Sequence, residues 1–170
     1  MDFIACQTQL RLNGELIREL VASISQEQAI RRPSPDDWSV LEVINHLYDE
    51  EREDFRQRFD YILHRPGEPW PPIHPGAWVT ERQYNERNLS TSLQNFLDER
   101  QKSLAWLATL DNPDLDRTET HPTIGEFHAG DMLASWVGHD VLHLRQLVEL
   151  KYFLLDELIR PYDPRYAGEW

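Results

Sequence analysis

Apolar residues recur at three- and four-residue intervals in four long stretches of the chain, the spacing of amphipathic helices. These stretches cover about residues 2–24, 39–65, 91–110 and 131–158. Ser39 and Glu42, three residues apart, form a capping-box pattern at the start of the second stretch. The fourth stretch is the most apolar of the four.

Proline and glycine interrupt the chain between these stretches. Pro33 and Pro35 precede the second helix, and Pro113, Pro122 and Gly125 lie before the fourth. Short helical pieces are expected at about residues 25–30 and 80–87.

Five prolines fall between Pro66 and Pro75, and we call residues 66–75 the Pro-rich segment. No regular element is expected there. Two alternatives remain open for it: an ordered loop with Trp70 and Trp78 packed against the protein, or a lid over a site.

The pattern contains no convincing alternation of apolar and polar residues, so strands are not expected. Long helices joined by long connections predict an all-α protein, a four-helix bundle with at least one crossover connection. A length of 170 residues fits a single domain spanning residues 1–170.

Charge and cysteine content narrow the functional classes. The formal charge is −13, from 17 basic and 30 acidic side chains, and such a surface repels phosphate backbones and anionic lipid. We therefore expect neither nucleic acid nor a membrane as a partner. A single cysteine, Cys6, excludes an internal disulfide and is expected to be a small core residue. The lack of an apolar run of 18 residues or a signal-peptide pattern favours a cytoplasmic protein.

Histidines supply the candidate chemistry. His139 and His143 are four residues apart in the fourth helix, so their directions differ by only about 40° and both imidazoles can reach one ion. On the helical wheel they lie at the border of the apolar face, beside Met132 and Trp136. The alternative is a pair of half-buried histidines bonded to carbonyl or carboxylate oxygens.

The position of His46 favours the metal-site interpretation over the alternative. It lies in the second helix among Val43, Ile44 and Leu47, on a face expected to point into the bundle. Three neutral imidazoles from two facing helices suit zinc, nickel, iron(II) or copper and leave positions open for water or substrate. His74, His121 and His128 lie in loops and are expected to be solvated rather than ligating; among them, His128 is the best-placed candidate for an additional ligand. Its loop leads directly into the fourth helix.

Three polar residues near these histidines are candidate helpers. Glu50 is one helical turn after His46 and could orient it, accept a proton as a catalytic base, or become a fourth ligand; alternatively, it belongs to a solvated acidic face. Gln146 could hold a ligand or a substrate through a hydrogen bond. Asp140 points about 100° away from His139 and could bond a neighbouring helix.

Two segments resemble the signatures of the DinB-like (DinB/YfiT) family. WSVLEVINHL, residues 38–47, is similar to its N-terminal signature, and WVGHDVLHLRQL, residues 136–147, to its C-terminal one. The resemblance implies an up-up-down-down four-helix bundle, usually a homodimer, with a metal held by His46, His139 and His143. Gln146 also matches a frequent family residue, whereas the Pro-rich segment is not a family hallmark.

The resemblance also implies two kinds of chemistry. Some family members look like transferases that use low-molecular-weight thiols, and others are described as metal-dependent hydrolases. We therefore expect a zinc, nickel or iron centre that activates a thiol or water against a small electrophilic substrate. The alternative is a non-catalytic, stress-related dimer with a structural or vestigial metal, closed by Glu50 or His128 as fourth ligand.

Overall fold

Four long helical segments form the body of the protein, at the positions that the apolar pattern predicts. The computed structural model describes residues 1–121 and 125–170; Pro122, expected in the last connection, lies outside them. The helices are α1 (Phe3–Val21), α2 (Gln26–Ala29), α3 (Val40–Glu50), α4 (Arg56–His64), α5 (Pro75–Glu81), α6 (Leu89–Leu107) and α7 (Ala129–Ile159). A π-helical segment, Glu51–Phe55, joins α3 to α4, so these three pieces form the second long helix. Short 3₁₀ turns occupy Tyr84–Glu86 and Pro164–Ala167.

Side-chain caps explain where the long helices begin. Asp2 and Asn88 accept hydrogen bonds from backbone N–H groups in the first turns of α1 and α6. The capping box expected of Ser39 and Glu42 is present at the start of α3. These bonds satisfy amides that a helix leaves without an internal partner.

Hydrogen bonds between helices fix their directions. α1 and α7 are parallel, as are the second long helix and α6, because bonded positions ascend together in each pair. The bonded residues are Asn13 with Asp140 and Leu20 with Lys151 for the first pair, and Asn45 with Arg87 and Glu51 with Arg100 for the second. The second long helix is antiparallel to α7, since His46 contacts His139 and the later Glu51 contacts the earlier Trp136.

The order of directions along the chain is therefore up-down-down-up. The four-helix bundle and the long crossover are confirmed, but the up-up-down-down order implied by the resemblance is wrong. The second long helix, which ends with α4, is parallel to the next long helix, α6, so a tight turn cannot join them. Residues 65–88, which contain the Pro-rich segment and α5, make the crossover between them.

The bundle interior consists of two apolar clusters with a polar layer between them. One cluster lies where α3 and α6 begin and includes Ile17, Val43, Ile44, Phe96 and Leu147. The other lies towards the start of α7 and includes Leu10, Phe59, Leu107, Leu133 and Trp136. Each long helix contributes a buried polar side chain between the clusters: Asn13, Glu51, Arg100 and Asp140.

A β-hairpin precedes α7, although no strand was expected. β1 (Thr118–His121) pairs antiparallel with β2 (Gly125–His128), with Thr118 opposite His128. Each strand has four residues, too few for alternation to stand out from the sequence. Backbone bonds from Ala129 and Gly130 to residues 117 and 115 tie the hairpin to the start of α7.

The Pro-rich segment is an ordered part of the crossover. Residues 65–74 lie outside helices and strands, and Pro75 occupies the first position of α5, where its missing N–H costs nothing. Trp70 is half-buried and Trp78 is 6% exposed. Both tryptophans pack against the protein, as the first alternative predicted. Among the described residues, no helix combines the length and the apolar character needed to cross a bilayer.

Candidate metal centre

His46 is held inside the bundle by a helix that is buried on every side. All residues from Val40 to Leu47 are buried, and His46 is 5% exposed. Burial on all faces is typical of a central helix. The imidazole of His46 therefore has a fixed position, facing α7.

His139 and His143 approach it from the middle of α7, one turn apart. The Nε2 atom of His139 lies 3.1 Å from the Nε2 atom of His46 and 3.1 Å from that of His143. The ligand atoms of these three histidines all lie within 4.8 Å of one another. Ligands at tetrahedral positions 2.0–2.1 Å from zinc are about 3.3 Å apart. The three histidines could therefore hold one metal ion, which their sequence spacing predicted.

The three imidazoles are neutral at neutral pH. Burial, together with the neighbouring histidines, lowers the pKa of His46 to about 2. Burial and the charges of His143 and Arg100 lower the pKa of His139 to about 3, and burial also lowers the pKa of His143. A neutral imidazole keeps one nitrogen lone pair, which is the form that binds metals.

Gln146 determines which nitrogen of His143 carries that lone pair. The Nδ1 atom of His143 lies 2.8 Å from Oε1 of Gln146. An amide oxygen only accepts hydrogen bonds, so Nδ1 carries the proton and Nε2 faces the other two histidines with its lone pair. By contrast, Nδ1 of His46 is buried without a hydrogen-bond partner among the described residues.

Aromatic rings surround the three histidines. The ring of Trp38 lies 4.9 Å from that of His46 and is parallel to that of His143 at 6.3 Å. On the opposite side, Phe55 lies 4.9 Å from the ring of His139. These rings limit the rotation of the imidazoles and keep water from their faces. His139 and His143 remain half-buried, so a small molecule can approach the open side.

A buried ion network supports the helices that carry the histidines. Arg100, on α6, donates to both carboxylate oxygens of Glu51 at 2.8 Å and to those of Asp140 at 2.6 and 2.8 Å. Although burial opposes its charge, Glu51 and Asp140 hold the pKa of Arg100 above its ordinary value. Trp136 donates to Glu51 at 2.9 Å. The expectation that Asp140 bonds a neighbouring helix is confirmed, and the network fixes the segment next to His139.

Glu50 is buried and lies beside another carboxyl group. It is 4% exposed, so the alternative of a solvated acidic face is wrong. The reason is that its neighbours in the acidic run, Asp49 and Glu51, bond Tyr84 and Arg100 inside the protein, which turns this part of the helix inwards. Burial, followed by the charge of Asp54, raises the pKa of Glu50. Glu50 therefore carries a proton at neutral pH.

The candidate fourth ligands lie apart from the three histidines. Among the described residues, the group of converging ligand atoms contains His46, His139 and His143, and neither Glu50 nor His128 belongs to it. His128 instead contacts Asp131 at 2.9 Å on the surface. A metal held by three histidines keeps positions for exchangeable molecules.

The contributions of Phe55, Glu51 and Arg100 to the site did not emerge from the sequence. Phe55 follows an acidic run, and Arg100 lies in a polar stretch of α6. For Glu51 and Arg100, a signal that could have found them is a charged residue on the apolar face of its helix, as Arg100 is between Phe96 and Leu104.

Comparison with known proteins identifies similar sequences and folds. A family model described as the DinB superfamily matches residues 9–147. The structure is similar to that of YfiT from Bacillus subtilis, described as a probable metal-dependent hydrolase with an unusual four-helix bundle topology. The TM-score is 0.78 at 21% identity, over 89% of this chain and 87% of that chain. No curated protein matches the sequence.

Proposed function

The chain belongs to the DinB superfamily, and from this membership we propose that it binds one divalent metal ion through His46, His139 and His143 and activates water or a thiol there. The substrate would be a small electrophile. One observation carries the proposal: three neutral imidazoles bring their ligand atoms within 4.8 Å of one another, with Nε2 of His139 3.1 Å from Nε2 of each of the other two. Zinc, nickel and iron(II) all accept such a donor set.

The residues of the chain have distinct roles in this proposal. A bound ion supplies a Lewis acid that generates a nucleophile from water or a thiol at neutral pH. Gln146 holds His143 in the tautomer that ligates through Nε2. Trp38 and Phe55 exclude water from the imidazole faces. Glu50, the candidate catalytic residue, holds a proton one helical turn from His46 and in this proposal donates it to a leaving group.

Metal content tests the proposal directly. The protein is purified without a metal-affinity tag and analysed for metals beside the His139→Ala/His143→Ala variant. A matched control is the His64→Ala/His128→Ala variant, because each of these histidines contacts a neighbouring aspartate outside the site. We expect near-stoichiometric metal in the parent and the control and little in the site variant. A parent that stays metal-free after reloading with zinc, nickel and iron(II) overturns the proposal.

A second experiment separates water from a thiol as the nucleophile. The metal-loaded protein is incubated with a chromogenic ester alone, and with an aryl halide in the presence and absence of a small thiol. Ester hydrolysis without a thiol indicates activated water, whereas halide release that requires the thiol indicates transfer. If neither reaction exceeds that of the His139→Ala/His143→Ala variant, both forms of the activity are contradicted for these substrate classes.

The second candidate function is a non-catalytic protein with a structural or vestigial metal. It depends on whether Glu50 or His128 can supply a fourth ligand. A structural zinc site normally closes with a fourth protein ligand, and the described residues place neither candidate with the three histidines. A variant His46→Ala that loses the metal but keeps the melting temperature of the parent contradicts the structural alternative.

A further inference from the structure

A cavity of about 330 Å³ lies under the Pro-rich segment, and its wall residue Phe55 contacts His139 of the candidate metal centre. This volume is within the roughly 300–1,000 Å³ range of small-molecule sites. Its apolar walls are formed by Phe55, Trp70, Ile73, Phe127 and Met132, and its polar ones by Asp54, Arg58, His121 and Ser135. The cavity thus combines an apolar interior with a few polar groups, as ligand sites do.

Two of its walls connect it to the candidate metal centre. Phe55 contacts the ring of His139 at 4.9 Å. Ser135 lies four residues before His139 on α7, which places it one helical turn away on the same side of the helix. A molecule in the cavity is therefore separated from the imidazole of His139 by one side chain, that of Phe55.

Arg58 is the group best suited to bind a ligand in this cavity. Its side chain is 11% exposed, and among the described residues its acidic partner is Asp54. A guanidinium has five N–H donors in a planar fork, and a single carboxylate cannot use them all. The remaining donors suit a ligand oxygen, above all a carboxylate, because a carboxylate can accept two parallel bonds.

Trp70 fixes Arg58 and forms a flat wall. The guanidinium carbon of Arg58 lies 5.0 Å from the centre of a Trp70 ring, and His121 packs edge-on against the same tryptophan at 5.5 Å. A cation above an aromatic face is attracted to it. A flat or apolar ligand body can therefore pack beside Trp70 while its carboxylate reaches Arg58.

A second cavity, of about 700 Å³, adjoins the first; we call it the outer cavity, and the first, which is nearer His139, the inner cavity. The outer cavity shares Arg58, Trp70, Ile73 and His121 with the inner cavity, and the Pro-rich segment and β1 complete its walls. These shared residues form the boundary between the two cavities.

We propose that the inner cavity is the substrate site of the metal centre and selects a small molecule with an apolar or aromatic body and a carboxylate, which Arg58 binds. This inference rests on the proposed function. The end of the molecule opposite the carboxylate points towards His139, where the reaction would take place. The Pro-rich segment, which is not part of the family signatures, then determines which substrates this chain accepts.

The test uses 4-fluorobenzoate as the probe and ¹⁹F NMR titration as the readout, so that binding is measured without turnover. Arg58→Gln is compared with Arg65→Gln. The control is closely matched, because Arg65 also pairs with a carboxylate, that of Asp60, and also lies over an aromatic ring, that of Tyr61. Neither cavity is lined by Arg65. Trp70→Leu, in the crossover, provides a second variant in case Arg58→Gln does not fold.

We expect Arg58→Gln to weaken binding about tenfold or more, as the loss of a hydrogen bond between charged groups predicts. Trp70→Leu should also weaken it, and Arg65→Gln should leave it unchanged. Absence of binding to the parent, or equal effects of Arg58→Gln and Arg65→Gln, overturns the proposal.

Loading the protein with cobalt(II) or zinc tests the location of the probe. Because cobalt(II) is paramagnetic, it should broaden the ¹⁹F signal of a probe bound beside His139, whereas zinc should not. Binding without this broadening overturns the assignment of the cavity to the metal centre. Metal content is measured in the same samples, so that failure of the proposed function appears as missing metal and failure of this inference as missing Arg58-dependent binding.

Discussion

A metal-binding imidazole must present the correct nitrogen, and single hydrogen bonds decide which one. His143 is held by Gln146, which accepts the Nδ1 proton at 2.8 Å. The proton on Glu50 depends in turn on burial and on the adjacent Asp54. Such effects belong to individual residues, so single substitutions can test them.

Gln146→Leu should weaken metal binding about 10- to 100-fold, because the tautomer and orientation of His143 are no longer fixed. Competition with a chromogenic chelator measures the affinity. Gln94→Leu is the control, since Gln94 also bonds a residue on its own helix, Asp98, but far from the site. Equal affinities of the two variants would show that Gln146 does not support the metal centre.

Glu50→Gln should gain stability relative to the parent as the pH rises. The folded pKa of Glu50 lies above its unfolded value, so the folded state holds a proton that the unfolded state releases. Above the unfolded pKa, the parent therefore loses stability by at most about 1.4 kcal/mol per pH unit. The glutamine variant carries no titrating group at this position and avoids this loss.

Urea unfolding from about pH 5 to about pH 8 measures this difference. The exposed Glu19→Gln provides the control. A difference between Glu50→Gln and the parent that stays constant with pH would show that Glu50 ionises normally.

At the scale of elements, the polar layer between the two apolar clusters holds the second long helix against α7. The π-helical segment adds a residue to the turn and directs Glu51 towards Arg100 while Phe55 reaches His139. π-helical turns often occur at functional sites. Arg100 then joins the helices that carry the two halves of the site.

Arg100→Met should destabilise the protein by about 3–5 kcal/mol, because it leaves the carboxylates of Glu51 and Asp140 buried without a cation. Urea unfolding at neutral pH measures the loss. Arg11→Met is the control, since the ion pair of Arg11 with Glu15 is exposed, and its removal should change stability by less than about 1 kcal/mol. Similar values for both variants would contradict the role of the polar layer.

At the scale of the whole molecule, both apolar clusters draw on the same four long helices. The expectation of one domain over residues 1–170 is supported by this sharing and stays a prediction. Unfolding in urea should occur in one transition, with coincident curves from far-ultraviolet circular dichroism and tryptophan fluorescence. Two separate transitions would contradict it.

The homodimer also stays a prediction. Val141, Val148 and Leu155 are exposed at seven-residue intervals along α7, a spacing that suits packing against another helix. We expect light scattering to give about 40 kDa, twice the chain mass of 20.2 kDa. Val148→Asp should lower this mass, whereas Ile30→Asp, at a similarly exposed position, should not. A monomeric parent would contradict the expectation.

The sequence by itself determined the four helices, the crossover and the three histidines. These features depend on local periodicity, on caps and on two segments, residues 38–47 and 136–147, each of which is continuous in the chain. Asp140 was also predictable, because its direction relative to His139 follows from helix geometry.

Only the tertiary structure decided the direction order of the helices, the burial of Glu50 and the partners of Arg100. Each depends on which helices pack together. A sequence pattern shows which face of a helix is apolar but not which other helix packs against that face. A charged residue inside an acidic run looks solvated until a buried arginine from another helix is placed against it. The cavity walled by Phe55 likewise requires the Pro-rich segment, the hairpin and the π-helical segment to meet, although they are distant in the chain.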